Sequence, residues 1–328
     1  MINVGQVEPN ALFTIIGQEN NTPQRIDIYL AEQFSGYSRS FFQKLIENQY
    51  VKRNDTIVTK PSTPIYFNDI IAVQFPPEKI VEPSVVIDKT INVSILAQTE
   101  HFMIIYKPAH LLVHAPSKAS TAITLTDWIL HHHNELAQIG IVDRPGIVHR
   151  LDKETSGIMV LTRTNYGHGE FSRLFKERNM RKTYLALVAG HPEKEGTIDR
   201  VIGRDPVNRI AMTSYDEYFT TIKNVKVRSA ITHYKVLQYF ENSSLVEVKP
   251  VTGRTHQIRV HMKSIGHPVI GDQLYGEKSP LIDRQALHAH SLSFIFNEQE
   301  YTFTCPLPDD FQNLLDNQTI HSDVSKKV

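Results

Sequence analysis

Gly146-Ile147-Val148-His149-Arg150-Leu151-Asp152-Lys153-Glu154-Thr155-Ser156-Gly157 is the stretch on which the reading of this chain turns. An apolar strand runs into a polar turn and re-emerges as the apolar run Ile158–Leu161. A carboxylate at such a strand end, with Arg150 before it and Thr155-Ser156-Gly157 after it, has two readings. Asp152 is a turn former bonded to its own backbone, or it is a catalytic group. Local sequence alone favours the turn. The same strand-and-turn pattern continues outward. Ile104–Tyr106, Gly157–Thr162, Thr183–Val188, Ile231–Leu237 and Val246–Val251 read as strands. In the last, Val246 and Val248 alternate with Glu247 and Lys249, as in a half-buried antiparallel strand. Helices are predicted at Leu125–Ile139 ended by Gly140, Phe171–Glu177, and Thr255–Ile265 ended by Gly266. Strands in this order with segregated helices predict an α+β fold with a mixed, largely antiparallel sheet. No GxGxxG or P-loop follows a strand, so a nucleotide cofactor has no support.

Ahead of this region, Pro76, Pro77 and Pro83 interrupt the periodicity between Phe75 and Thr90 and mark a seam. Before the seam lies a compact helical unit. Ile26, Leu30 and Phe34 recur at helical spacing on one helix, and Phe42, Leu45 and Ile46 on a second that Ser38 caps. Short strands are predicted at Thr56–Thr59 and Ile70–Phe75, with Asn54-Asp55 as a turn. The single cysteine, Cys305, excludes a disulfide framework and a cysteine-rich zinc site. No apolar run reaches membrane-spanning length, and Met1–Asn10, with Glu8 and no Lys or Arg, does not read as a signal peptide. A cytoplasmic protein with no membrane partner is expected.

Lys and Arg number 35, as do Asp and Glu, so the formal net charge is zero. That average argues against an electrostatic nucleic-acid binder, but the charge is unevenly placed. The windows Arg39–Lys60, Arg144–Arg163, Glu170–Lys182 and Val248–Gly271 carry net +3, +2, +3 and +4. The rest of the chain therefore carries −12. Helix Phe171–Glu177 shows what such windows do. Phe171, Leu174 and Phe175 face inward, so Arg173 and Lys176 face out, where cations neutralise phosphates. A second unusual stretch is Thr252-Gly253-Arg254-Thr255-His256-Gln257-Ile258-Arg259-Val260-His261. Arg254 at a helix start opposes the helix dipole, which points to a carboxylate or phosphate partner.

With these residues the chain resembles the RluA-type pseudouridine synthases, in the branch carrying an N-terminal S4 domain, and most of all the RluD group. The S4 part matches at Arg25-Ile26-Asp27, Tyr29-Leu30, Ser38-Arg39-Ser40, Leu45-Ile46 and Val51. The catalytic part matches at Lys107-Pro108, His149-Arg150-Leu151-Asp152, Thr155-Ser156-Gly157, Lys182-Thr183-Tyr184-Leu185-Ala186 and Gly253 through Arg259. It continues through Gly266-His267-Pro268, Gly271-Asp272, Tyr275-Gly276, His288-Ala289 and Pro306-Leu307-Pro308. The resemblance runs from about Gln24 to about Phe311. His110 and the segment Tyr215–Ser229 depart from the family pattern, the latter as a variable loop.

The resemblance implies a cofactor-free, metal-free isomerisation of uridine to pseudouridine in RNA. Asp152 matches the catalytic aspartate, Arg254 the arginine that pairs with it, and Tyr184 the tyrosine stacked on the base. Arg150 matches the residue filling the stack vacated by the flipped base, and Ile258 an apolar contact to that base. His149, Thr255 and Arg259 complete the expected substrate contacts, and Arg39, Lys44, Lys52, Arg53, Arg173 and Lys176 the peripheral RNA contacts. The implied organisation is an extension (1–21), an S4 RNA-binding domain (22–78), a linker (79–91), a catalytic domain (92–311) and a tail (312–328). The expected partner is RNA, large-subunit (23S) ribosomal RNA or an assembling subunit, bound by a monomer. A non-catalytic S4-type RNA-binding or assembly factor is the alternative, and a glycosylase that frees uracil a more distant one. His131-His132-His133 lies mid-helix, where its rings point around the axis rather than at one metal ion. His288 and His290 read as core or as an RNA-facing strand, and Trp128 as core.

Overall fold

The computed structural model describes residues 11–17, 23–34, 37, 39–75, 91–115, 120–137, 139–141, 144–216 and 226–319. The expected Ser38 cap, most of the linker and most of the variable loop lie outside them.

The N-terminal unit runs β1 (Leu12–Ile16), β2 (Gln24–Arg25), α1 (Ile26–Gln33), α2 (Arg39–Glu47), β3 (Val51–Arg53), β4 (Thr56–Ile57), β5 (Pro64–Ile65) and β6 (Ile70–Gln74). An antiparallel sheet of order β1-β6-β3-β4 backs the two helices. Ile26, Leu30, Phe34, Phe42 and Ile46 are fully buried between them, so the helical spacing read from the sequence is the packing face. Asp27 is also fully buried. Arg25, Arg39 and Gln43 each donate to its carboxylate at 2.7–3.0 Å. Burial alone would raise its pKa; these three donors outweigh it and hold it at about 2.

The larger unit contains β7 (Ser94–Gln98), β8 (Phe102–Lys107), α3 (Leu125–His132), β9 (Gly140–Ile141), β10 (Arg144–Pro145), β11 (Ser156–Thr162), α4 (Asn165–Lys176), β12 (Arg181–Ala189) and β13 (Glu195–Arg204). It continues with β14 (Met212–Tyr215), β15 (Val227–Tyr239), β16 (Ser243–Pro250), α5 (Gln257–Ser264), β17 (Leu287–Phe296), β18 (Gln299–Thr304) and α6 (Asp309–Asp316). Ten strands form one sheet of order β14-β13-β15-β16-β12-β17-β11-β8-β7, with β18 also on β17. Among the described strands of this sheet only β11 and β17 pair in parallel, through Ser156–Gly157 and His288–Ala289. All five strands expected in this unit are present, mostly longer than read, whereas the two expected in the N-terminal unit are shorter, Thr56–Ile57 and Ile70–Gln74.

Helix ends were less legible. α3 begins where a Thr124–Asp127 capping box satisfies its first amides, but stops at His132 rather than Ile139. His133 and Asn134 are weak helix formers, and the chain tightens there into a 3₁₀ turn, Asn134–Leu136. α4 starts six residues before Phe171, because Thr164 Oγ1 accepts the Gly167 amide. α5 starts at Gln257, because His256 holds a left-handed backbone, φ 55°.

Two apolar clusters flank the middle of the sheet. One gathers β8, β11, α3 and α4 with Trp128; the other gathers β12, β16, α5 and α6. Tyr184 packs against both. Leu151, beside Asp152, belongs to the first cluster and Ile258 to the second. His288 is fully buried and Trp128 nearly so, both as core. Among the described residues no three His, Cys, Asp or Glu side chains converge as a metal site.

Candidate active site

Asp152 stands in the turn that leads into β11, and every following residue of that turn is tied down. Lys107, fully buried at the end of β8, donates from Nζ to the carbonyls of Pro108, Leu111 and Lys153 at 2.7–3.1 Å. Burial pushes the Lys107 pKa down to about 7, while the three carbonyls favour its ammonium. Arg284, equally buried, reaches Glu154 O at 3.3 Å and is gripped through two nitrogens by Asp310 of α6. Gln285 Nε2 donates to Thr155 Oγ1, and Ser156 Oγ bonds His288 Nδ1 at 3.0 Å. Gly157 allows β11 to start directly under β17. Its φ is 126°, and a Cβ there would meet Ala289 O at 2.3 Å. A loop fastened at this density holds Asp152 in place before substrate arrives.

The aspartate opens on a cavity of about 520 Å³, within the range of a nucleotide-sized site. Its lining includes His149, Arg150, Asp152, Tyr184, Arg254, Thr255, Ile258 and Arg259, together with one of the expected peripheral cations, Lys176. Asp152 is the sole carboxylate of that lining.

The partner of Asp152 corrects the sequence-based expectation. Arg259, not Arg254, donates to it, Nη1 to Oδ2 at 3.0 Å. Arg254 precedes α5, and its Nε goes to Ser229 O at 3.0 Å. The expectation fails because Thr255 and His256 are not helical, so Arg254 does not share a helix with Arg259. Arg259 is held from behind: Nε and Nη2 form a fork with both oxygens of the fully buried Asp272, at 2.6 and 2.9 Å. Its guanidinium also lies over the Tyr275 ring, 5.0 Å from the centroid. Burial opposes the charge, but Asp272 and Asp152 together raise the Arg259 pKa above its ordinary value. The signal for this role was in the sequence: an arginine between Ile258 and Val260 on a buried helix face needs an acid, and Asp272 is that acid.

His256 adds a second neighbour, its Nε2 4.0 Å from Asp152 Oδ1. Tyr275 OH accepts the Met212 amide at 2.7 Å and shares a hydrogen bond with His256 Nδ1 at 2.8 Å. Burial holds the His256 pKa below its usual value. Tyr184 sits where a register shift between Thr183 and Tyr184 re-aims β12. Burial first, then the Asp152 charge, raises its pKa, so the phenol keeps its proton.

A family model for RNA pseudouridylate synthases matches residues 101–264, which include this turn, Tyr184 and Arg259. The chain belongs to the RNA pseudouridylate synthase family. An S4 domain model matches residues 24–71. An RNA pseudouridine synthase of Aquifex aeolicus is 40% identical over 84% of this chain and 83% of its own. The ribosomal large subunit pseudouridine synthase D of Zymomonas mobilis is 34% identical over 88% of this chain and 92% of its own. Among solved structures, human RNA pseudouridylate synthase domain containing 1 is 29% identical, with a TM-score of 0.55 over 72% of this chain and 92% of that one. The chain is therefore an enzyme acting on RNA, built as an S4 domain followed by a synthase domain.

The remaining expected residues of the enzyme fall in three groups. Arg150 is exposed at the cavity mouth, where Nη1 donates to His114 Nε2 at 3.0 Å. Burial, then the Arg150 charge, lowers the His114 pKa to about 4, so its ring stays neutral and free to accept. His149 borders the cavity but spends Nε2 on the Val160 amide and stacks on Phe175. Burial drives its pKa down to about 3. Three of the expected peripheral RNA contacts have acidic partners. Arg39 pairs with Asp27, Arg53 with Asp69, and Arg173 with both Glu170 and Glu177. Lys52 and Lys176 are exposed, and Lys44 lies on α2.

Proposed function

We propose that the enzyme isomerises specific uridines of large-subunit (23S) ribosomal RNA to pseudouridine, acting as a cytoplasmic monomer, with Asp152 as its catalytic carboxylate. The observation that carries this reading is the Arg259–Asp152 contact at 3.0 Å, the one carboxylate in an otherwise cationic cavity. The relatives named for the large ribosomal subunit support the substrate class.

The reaction conserves every atom. The C1′–N1 bond breaks with its electron pair on uracil, the ring turns, C5 bonds to C1′, C5 loses a proton and N1 gains one. An ionised carboxylate beside C1′ serves the first step by adding to C1′ or by taking the 2′ proton. Arg259 donates to Asp152 Oδ2 at 3.0 Å and so fixes where the carboxylate points in the cavity. Extruding the base costs a few kcal/mol of stacking. Arg150 at the mouth has the planar guanidinium to fill the gap, and Ile258 and Tyr184 form the apolar and aromatic walls for the flipped ring. Arg254, whose pKa is lowered by burial and then by the neighbouring Arg228 and Arg178, is placed for backbone phosphate.

Mapping pseudouridines in the large-subunit rRNA of a deletion strain tests the assignment. Sites should vanish on deletion and return with the wild-type gene. An unchanged map would refute large-subunit rRNA as substrate.

A further inference from the structure

The chemistry proposed above makes one demand that Asp152 and Arg259 do not meet. While uracil is detached it carries the electron pair of the broken bond, spread over N1, O2 and O4. In a water-poor cavity that charge needs a preorganised donor. Six cations border the cavity: Arg150, Lys176, Arg178, Lys182, Arg254 and Arg259. Arg259 is taken by Asp152 and Asp272, Arg254 by Ser229 O, and Arg150 by His114. Lys176 and Arg178 are exposed.

Lys182 differs from all five. It is half-buried on β12, two residues before Tyr184, with the register shift between them, and both side chains reach the cavity. Among the described residues its amine has neither a carboxylate nor a hydrogen-bond partner, and burial alone accounts for its lowered pKa, about 8. Opposite stands Gly253, where an added Cβ would lie 3.9 Å from Lys182 Nζ. Gly253 has no positive φ, so its backbone does not require glycine; the missing side chain leaves the approach to the amine open. The other titratable or charged groups of the lining are His149, Asp152, Tyr184, His256 and the five cations above.

We infer that Lys182 is a further catalytic residue: its ammonium donates a hydrogen bond to a carbonyl oxygen of the detached uracil and holds the anion between cleavage at N1 and recapture at C5. This rests on the pseudouridine synthase reading above. Lys182 keeps its proton throughout and supplies charge only, so no co-reactant enters. The electron pair leaving C1′–N1 rests on the ring until C5 bonds C1′, the C5 proton passes to a base, and N1 takes a proton from solvent.

The test compares wild type, Lys182→Met and Lys182→Arg on 23S rRNA transcribed with uridine tritiated at C5. Tritium release at saturating enzyme gives the rate, and filter binding the Kd. Lys182→Met should lower the rate about 100-fold or more, as loss of a preorganised donor does, with Kd unchanged. The wild-type rate should fall above about pH 8 as the ammonium deprotonates. Lys182→Arg should keep most of the rate and move that fall to higher pH. A wild-type rate in Lys182→Met, or a rate restored by saturation with a raised Kd, would show a mere phosphate contact and overturn the inference. So would an alkaline fall left at about pH 8 in Lys182→Arg, a criterion that holds even if Lys182→Met fails to fold. A wild-type enzyme releasing no tritium would refute the activity itself rather than this residue.

Discussion

Two arginines that look equivalent in sequence do different work in the cavity. Arg259 bridges Asp152 and the buried Asp272, whereas Arg254 ends on a backbone carbonyl among other cations. Arg259→Ala strands a fully buried carboxylate, so it should abolish turnover and cost about 3–5 kcal/mol in urea unfolding. Arg254→Ala should leave the rate at saturating RNA near wild type and flatten the salt dependence of binding by about one phosphate contact. The reverse pattern would return the pairing role to Arg254. Only part of this was legible in the chain. Asp152, Tyr184 and Ile258, which the family motifs pointed to, line the same cavity. The choice between Arg254 and Arg259 was not legible, because it depends on where α5 begins. That start is set by the left-handed His256, whose imidazole is held by Tyr275 from a distant segment.

The elements that carry the site were legible as strands because alternation and apolar runs fix which face is buried. Helix ends were not, since caps decide them: Thr164 started α4 early and His133-Asn134 ended α3 short. The parallel contact between β11 and β17 had no local signal, because it joins Ser156 to His288 across 132 residues. Yet it fastens the turn that carries Asp152. Gly157→Ala should therefore force β11 away from Ala289 O and lower stability by about 1–3 kcal/mol through overpacking. Thermal unfolding checks this, and activity should fall with it as Asp152 loses its fixed position. An unchanged melting temperature would show that the strand junction tolerates a methyl group.

For the whole molecule, net charge was a poor guide. A chain that sums to zero gathers six cations around one carboxylate in its cavity. Its pH response follows from histidines buried as neutral rings. His168, His261 and His288 have pKa values pushed by burial from 6.5 to about 4. Unfolded chain binds their protons at a higher pH than folded chain does. Stability is thus intact above pH 6.5 and lost as pH falls toward 4, by about 1.4 kcal/mol per histidine per unit. Urea midpoints measured between pH 7 and 5 should drop steeply; a flat profile would contradict neutral burial. The S4 core, from Ile26 to Phe75, shares no residue with the synthase clusters. Removing residues 1–78 should weaken selection of the full-length RNA more than turnover of a short stem-loop, and equal losses would deny it a targeting role.

Asp152→Asn keeps the shape of the carboxylate and removes its charge, so it isolates the central claim. Pseudouridine formation and RNA affinity should be measured on the same purified variant with the same ribosomal RNA. The account predicts no detectable pseudouridine and a Kd close to wild type. Pseudouridine formed at a rate near wild type would contradict it.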